Sequence, residues 1–234
     1  MTTQQTLPHD QEDWTSAEFV HAWLDRSAAG LPERQQRFRL AAAMLGQERD
    51  AAFRFLDLGA GAGPLTAVLL ERFPNSTAVV HDVSQPMLDR AAEALSAYAS
   101  RVQVVQADLS QSGWASAFQG QRFQAAVSSI AIHNLFDAGQ IANVYRETAT
   151  LLEPGGVFVN IDYVSSEPAL IESYRGATAQ RREERGEAPR PGMGGGGHFA
   201  GALADHLRWL REGGFGAADC PWRELNLTIL LAKR

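Results

Sequence analysis

Five short apolar runs alternate with stretches of helical length between residues 53 and 161, and this alternation limits the possible folds most strongly. The runs are rich in Val, Ile and Phe and show little internal alternation of polar residues; they span 53–58, 77–83, 102–107, 125–130 and 157–161. Strands of this kind are buried on both faces. The intervening stretches at 65–73, 86–99, 114–119 and 138–152 predict helices. Repeated strand–helix units predict a mostly parallel sheet with right-handed crossovers and helices on both sides. The sequence therefore predicts a doubly wound α/β fold.

The segments that flank this region predict additions to the sheet. Residues 1–45 predict a polar tail and two cap helices, with a break at Gly30, Leu31 and Pro32. Residues 165–200 predict a helical insertion that ends in a glycine-rich stretch, suited to a mobile cover. The runs at 215–222 and 225–231 are joined by a link so short that they must pair antiparallel. We expect one domain, residues 1–234, to contain all these parts.

Composition excludes several classes of protein. The chain is 45% hydrophobic with a net charge of −6, which predicts a folded core and disfavours a nucleic-acid partner. Cys220 is the single cysteine, so a disulfide scaffold is excluded and a reducing cytoplasm is expected. The sequence has no apolar run of about 18 residues and no basic, apolar leader at its start, so neither a membrane span nor a signal peptide is expected. The sequence has no cluster of His and Cys residues at metal-ligand spacing, so a metal site is not expected.

The stretch FLDLGAGAGPL, residues 55–65, carries the strongest functional signal. A strand ends, three glycines follow at alternate positions, and a helix begins. Such a turn lets the backbone approach a ligand closely, while the helix start offers free N–H groups. The spacing is GxGxG, which differs from the GxGxxG of dinucleotide-binding enzymes. Asp57, two residues before the first glycine, would repel a pyrophosphate and attract a cation.

This pattern resembles the class I S-adenosylmethionine-dependent methyltransferases, and the similarity continues over roughly residues 40–164 and 200–234. The segments VVHDVSQPML, VVQADLS, FQAAVSSIAIHN and LLEPGGVFVNID match successive motifs of that family. The resemblance implies a seven-stranded, mostly parallel sheet in the order 3-2-1-4-5-7-6, with strand 7 antiparallel. It also implies S-adenosylmethionine (SAM) as the cofactor and S-adenosylhomocysteine (SAH) as the product.

The resemblance places a cofactor site at the carboxyl edge of the sheet. Asp82 would bind the ribose hydroxyls, and Val83 and Met87 would flank the adenine. Asp108 and the backbone of Leu109 would lie near the adenine amino group. The complete expected set is Asp57, Gly59, Ala60, Gly61, Gly63, Asp82, Val83, Met87, Asp108, Leu109 and Ser128.

Three histidines are candidates either for the site or for packing. His133, at the carboxyl edge of the fourth strand, is the candidate general base, with an orienting donor or a packed side chain as alternatives. His206 lies on an apolar helix face and is expected to be structural. His198 follows four glycines and is either a surface residue or a contact of the cover.

The acceptor of the methyl group is not evident from the sequence. The acidic balance and the aromatic residues of the flanking segments favour a small molecule methylated at oxygen or nitrogen. A methyltransferase that acts on tRNA or protein is one alternative. A carboxy-SAM synthase is another, because the region from Tyr174 onward loosely resembles such enzymes. A degenerate binding protein is the third, and a homodimer is a candidate assembly.

Overall fold

The structure is a computed structural model that describes residues 13–28, 31–118, 120–184, 186 and 199–234. Its α-helices are α1 (Ala17–Ala28), α2 (Leu31–Met44), α3 (Pro64–Arg72), α4 (Gln85–Ala94), α5 (Ala138–Leu151), α6 (Ile171–Glu184) and α7 (Leu203–Glu212). Its strands are β1 (Arg54–Leu58), β2 (Thr77–Asp82), β3 (Val102–Gln106), β4 (Phe123–Ser129), β5 (Leu152–Tyr163), β6 (Ala217–Glu224) and β7 (Leu227–Lys233).

The seven strands form one sheet in the order β3-β2-β1-β4-β5-β7-β6. Strands β1 to β5 are parallel to one another, whereas β7 runs antiparallel to both β5 and β6. The predicted doubly wound fold, its strand order and the antiparallel seventh strand are therefore confirmed. The antiparallel pairing predicted for the runs at 215–222 and 225–231 is also confirmed, since β6 pairs antiparallel with β7.

Both faces of the sheet are covered, which explains why the strands lack polar alternation. Successive residues of a strand point to opposite faces, and Phe55 and Leu56 accordingly belong to two different apolar cores. Leu56 packs with side chains of α5 and α7, among them Val144 and Leu210. Phe55 packs with side chains of α2, α3 and α4, among them Leu69.

Two predicted helices differ from the observed ones. The helix predicted at 86–99 ends at Ala94, and a 3-10 helix follows at Ser96–Arg101. The Arg101 guanidinium there donates to three carbonyl groups around the carboxyl end of α3, which fixes the start of β3. The helix predicted at 114–119 is a 3-10 helix, Trp114–Phe118. The Glu147 carboxylate caps it by accepting from Gly113 N and Ala115 N.

Two contacts tie the flanking segments to residues that follow the carboxyl ends of β2 and β5. The Ser84 hydroxyl donates to the carbonyl oxygen of Trp14 (2.5 Å), which ties the start of α1 to α4. In the insertion, α6 has no buried residue. The segment beyond it returns to the sheet where Ser165 forms a parallel bridge with Ala202. No helix in the described ranges is long and apolar enough to cross a membrane.

Candidate functional site

Three backbone N–H groups tie the loop between β1 and α3 to the end of β2. Gly59 N donates to His81 Nδ1 (3.3 Å), and Ala60 N donates to the His81 carbonyl oxygen (2.8 Å). Gly61 N donates to Asp82 Oδ2 (2.9 Å). Burial lowers the pKa of His81 to about 4, so the ring is neutral near pH 7 and its Nδ1 can accept. The loop therefore has a defined position at the edge where ligands bind in sheets of this type.

Asp57 lies behind this loop and is almost completely buried. Its Oδ2 accepts from the Thr66 hydroxyl (2.6 Å), whereas its buried Oδ1 has no hydrogen-bond partner among the described residues. Burial raises the pKa of the carboxyl to about 7. An unpaired buried acceptor is unfavourable, so a donor group brought by a ligand would satisfy it.

Asp82 ends β2 beside the loop. Its Oδ1 accepts from Ser84 N (2.9 Å), while its Oδ2 holds the loop as described above. Burial raises the pKa of this carboxyl. Val83 next to it is 42% exposed, although it is a large apolar residue, and Met87 is buried at the start of α4. An exposed valine beside a carboxylate offers an apolar surface to a flat ligand.

Asp108 and Leu109 follow β3 at the same edge, because Ala107 N donates to the Asp82 carbonyl oxygen (3.2 Å). Partial burial raises the pKa of Asp108, but hydrogen bonds from Ser110 and Gln111 outweigh this effect and the pKa is lowered. Asp108 is thus a carboxylate at neutral pH. The structure brings it to the same edge as Asp82, as the sequence predicts.

The loop after β4 contacts the glycine loop. A Cβ atom on Gly59 would lie 2.4 Å from the Cβ of Ala131, so only glycine permits this approach. The preceding residue, Ile130, has φ 54°, which is rare for a β-branched side chain. Backbone strain of this kind concentrates at functional sites. The contact brings the loop that carries His133 beside the predicted cofactor site.

His133 and Asp162 form a buried pair at this edge. His133 lies in a short 3-10 helix, Ile132–Leu135, and Asp162 lies near the end of β5. Asp162 Oδ1 is 2.5 Å from His133 Nδ1, and Asp162 Oδ2 accepts from His133 N (3.0 Å). An ionised carboxylate only accepts, so Nδ1 carries a proton and Nε2 is left as the acceptor. No described residue bonds to Nε2.

Two aromatic rings pack against the imidazole of His133. The rings of Tyr163 and Phe199 stack with centroids 5.2 Å apart and planes at 9°. Each meets the His133 ring edge-on, at a centroid distance of 5.4 Å. The plane of the imidazole is thus fixed by a carboxylate on one nitrogen and by two aromatic neighbours.

Two further residues of this edge, His81 and Asp162, are not among the residues predicted from the sequence. An acid at the end of an apolar strand, in FVNID, is the signal that could have indicated Asp162. Of the predicted set, Ser128 is fully buried, and its hydroxyl donates to the Leu58 carbonyl oxygen (2.9 Å). Its place in a cofactor site stays a prediction.

Part of the predicted cover lies outside the described residues, namely 187–198 with His198. His206, predicted to be structural, is buried and bonds to Tyr145 and Ala200. Within the described ranges, no group of three or more His, Cys, Asp or Glu side chains could hold a metal ion.

Comparison with protein families matches residues 55–156 to the methyltransferase domain. The matched residues run from β1 into β5, and the strand order is that of the class I enzymes. Residues 55–156 are thus similar to the methyltransferase domain family, and they lie in a sheet with the class I strand order. A comparison with curated protein sequences gives no match.

Many solved structures share the fold of this chain. One is an O-methyltransferase family protein from Burkholderia thailandensis, at 20% identity and TM-score 0.67, with 92% of this chain and 59% of that chain covered. Another is the mitomycin 7-O-methyltransferase MmcR, at 17% identity and TM-score 0.58, with 88% of this chain and 54% of that chain covered. A third is the SAM-dependent methyltransferase SibL, at 18% identity and TM-score 0.58, with 92% of this chain and 57% of that chain covered.

The chain thus spans little more than half the length of these three proteins. At such identities the likeness concerns the fold alone and does not identify the acceptor.

Proposed function

We propose that the protein is a SAM-dependent methyltransferase that methylates a hydroxyl group of a small-molecule acceptor, with SAH as the product. The observation that carries this proposal is the buried His133–Asp162 pair beside the glycine loop. A hydroxyl group must lose its proton when it is alkylated, whereas a neutral amine attacks with a free electron pair. A positioned base therefore favours oxygen over nitrogen as the acceptor atom.

The residues around the glycine loop fit a SAM molecule. The unpaired Oδ1 of Asp57 suits the ammonium end of the ligand, and the exposed Val83 suits one face of an adenine. Asp82 would hold the ribose hydroxyls, Met87 would lie below the adenine, and Asp108 with Leu109 would meet its amino group. When bound, SAM supplies an electrophilic methyl group on a sulfonium sulfur.

The protein's own residues would act on the acceptor. The hydroxyl proton would pass to His133 Nε2, while Asp162 stabilises the imidazolium that forms. Alignment of the nucleophile with the methyl group would supply most of the acceleration, since effective molarities of about 10⁵ M or more are attainable. The net charge of −6 supports a small acceptor over tRNA.

Two measurements test this function. Calorimetry should detect binding of SAM and SAH and no binding of NAD. SAH release should then appear with a panel of phenols and alcohols as acceptors, and His133→Ala should lower turnover by about 10²–10⁴ without weakening SAH binding. His21→Ala is the control, because His21 is exposed on α1. NAD binding without a response to SAM would overturn the proposal, and a chemically altered cofactor without methyl transfer would favour the carboxy-SAM synthase alternative.

A further inference from the structure

A second buried polar network lies on the same face of β5 as the His133–Asp162 pair. Asn160 and Asp162 are two residues apart on the strand, so their side chains leave the same face. The Tyr145 hydroxyl oxygen lies 2.7 Å from His206 Nδ1, and Asn160 Nδ2 lies 3.5 Å from the Tyr145 oxygen. All three side chains are buried. The network joins α5, β5 and α7.

The direction of each hydrogen bond follows from the partner at the end of the network. His206 Nε2 lies 2.9 Å from the carbonyl oxygen of Ala200, which can only accept. Nε2 therefore carries the proton, and Nδ1 accepts from the Tyr145 hydroxyl. Burial lowers the pKa of His206 and raises that of Tyr145, so both side chains are neutral at pH 7. The ring has one tautomer and one orientation.

Residues 199–202, to which Ala200 belongs, fit closely against α7 and the end of β5. Ser165 N donates to the Gly201 carbonyl oxygen (2.8 Å), and Ala202 N donates to Asp205 Oδ2 (3.1 Å). A Cβ atom on Gly201 would lie 2.4 Å from Cη2 of Trp209, and the glycine has φ +80°. Only glycine lets the backbone lie on the indole at this point.

Phe199 links this segment to the candidate active site. It precedes Ala200 directly, stacks on Tyr163 and meets the ring of His133 edge-on. The planar peptide bond between Phe199 and Ala200 couples the positions of these two residues. A contact that holds the Ala200 carbonyl therefore determines where the Phe199 ring lies.

We infer that Tyr145 and His206 position residues 199–202, and through Phe199 the imidazole of His133. His206 is then a positioning residue, which acts on the candidate base through a neighbouring backbone carbonyl. Its importance for catalysis rests on the proposed function. The positioning itself is a property of the fold and can be measured without any acceptor.

The experiment compares His206→Leu, His206→Gln and Tyr145→Phe in the full chain. His206→Leu removes the donor to Ala200, whereas His206→Gln keeps an N–H that reaches the same carbonyl. Tyr145→Phe removes only the hydroxyl that orients the ring. Hydrogen exchange at the amides of Ser165 and Ala202 should become about tenfold faster or more in His206→Leu, less so in Tyr145→Phe, and remain near wild type in His206→Gln.

NMR of the histidine ring protons gives the second readout, because the rings of Phe199 and Tyr163 shift the resonances of His133. His206→Leu should move these resonances in the same direction as Phe199→Ala, and His206→Gln should restore them. Glu212→Gln, at the exposed end of α7, should change neither readout.

Unchanged exchange and unchanged His133 resonances in both His206→Leu and Tyr145→Phe would overturn the inference. So would a glutamine variant that behaves like leucine, since the role would then be one of packing. If His206→Leu does not fold, Tyr145→Phe and His206→Gln decide the question. An absence of methyl transfer would affect none of these readouts, so the two proposals can fail separately.

Discussion

At the scale of single residues, Asp82 combines two tasks that make its substitution informative. Its carboxylate holds the glycine loop through Gly61 N and is our proposed partner of the ribose hydroxyls. We expect Asp82→Ala to weaken SAH binding by about 1–3 kcal/mol, because charge-assisted hydrogen bonds are lost. Calorimetry measures this effect, and Asp89→Asn, an exposed charge change on α4, should leave the affinity unaltered. Equal affinities would exclude Asp82 as a ligand of the ribose.

The carboxylate of Asp162 accepts from Tyr163 N (2.9 Å) as well as from His133, and we expect its effect on turnover to come from the bonds to His133. In Asp162→Asn the amide can place an N–H where the charged oxygen accepted from His133, so the proton on Nδ1 is no longer favoured. The variant also lacks the negative charge beside the imidazole. We expect turnover to fall by about 10²–10⁴ while SAH affinity stays close to wild type. Steady-state kinetics checks this, with Asp219→Asn on the exposed edge strand β6 as control. A change in the acceptor KM alone would make the pair a substrate-binding element.

The raised pKa of Asp57 predicts that the free energy of unfolding decreases as the pH rises. Its pKa rises from 3.8 to about 7 in the folded protein because the carboxyl is buried. Between these two pH values the native state keeps the proton and the unfolded state has lost it. The contribution of Asp57 is therefore fully present at low pH and is lost as the pH rises through 7.

Urea denaturation of the wild type and of Asp57→Asn at several pH values isolates this contribution. The asparagine variant should gain stability relative to the wild type as the pH rises from 4 to 8, since its amide never ionises. Thr66→Val tests the partner: it removes the hydroxyl that lowers the pKa of Asp57, so the loss of stability should continue to a higher pH than in the wild type. A stability difference between wild type and Asp57→Asn that is independent of pH would contradict the assignment.

At the scale of elements, Ser84 connects two of them. Its hydroxyl oxygen caps α4 by accepting from Met87 N, and its O–H donates to the Trp14 carbonyl oxygen. We expect Ser84→Ala to lower the free energy of unfolding by about 1–2 kcal/mol and to speed hydrogen exchange in α1. Asp137→Ala is the matched control, because Asp137 caps α5 without touching α1. Equal exchange rates of α1 in the two variants would show that the Ser84–Trp14 contact does not hold this helix.

The elements differ in how far the sequence determines them. The helix α5 was predictable because its apolar face and its cap lie within the segment itself. The pairing of His133 with Asp162 was not, because the two residues are 29 positions apart and the pair forms only when β4 and β5 lie side by side. The division of the predicted helix 86–99 was not predictable either, because Arg101 binds carbonyl groups at and just beyond the carboxyl end of α3. Residues within a segment thus predict a helix such as α5, whereas contacts between distant residues depend on how the strands and helices pack in the sheet.

At the scale of the whole molecule, two cores share a single sheet. Leu69 and Leu210 are fully buried on opposite faces of it. We expect Leu69→Ala and Leu210→Ala each to lower the free energy of unfolding by about 2–5 kcal/mol. Both should unfold in one cooperative transition, because neither core can lose the sheet without the other. Tryptophan fluorescence and far-UV circular dichroism should give coincident urea curves, and separate midpoints would show that the faces unfold independently.

The bridge between Ser165 and Ala202 has a consequence for how such a chain can diversify. The polypeptide leaves the sheet and returns to it at neighbouring points, so the intervening residues form an excursion whose two ends are already joined. Segments of another length could be grafted between these ends without altering a single strand. Exchange of this excursion between related chains therefore leaves the sheet intact, and a chimaera that carries a foreign segment there should keep its fold.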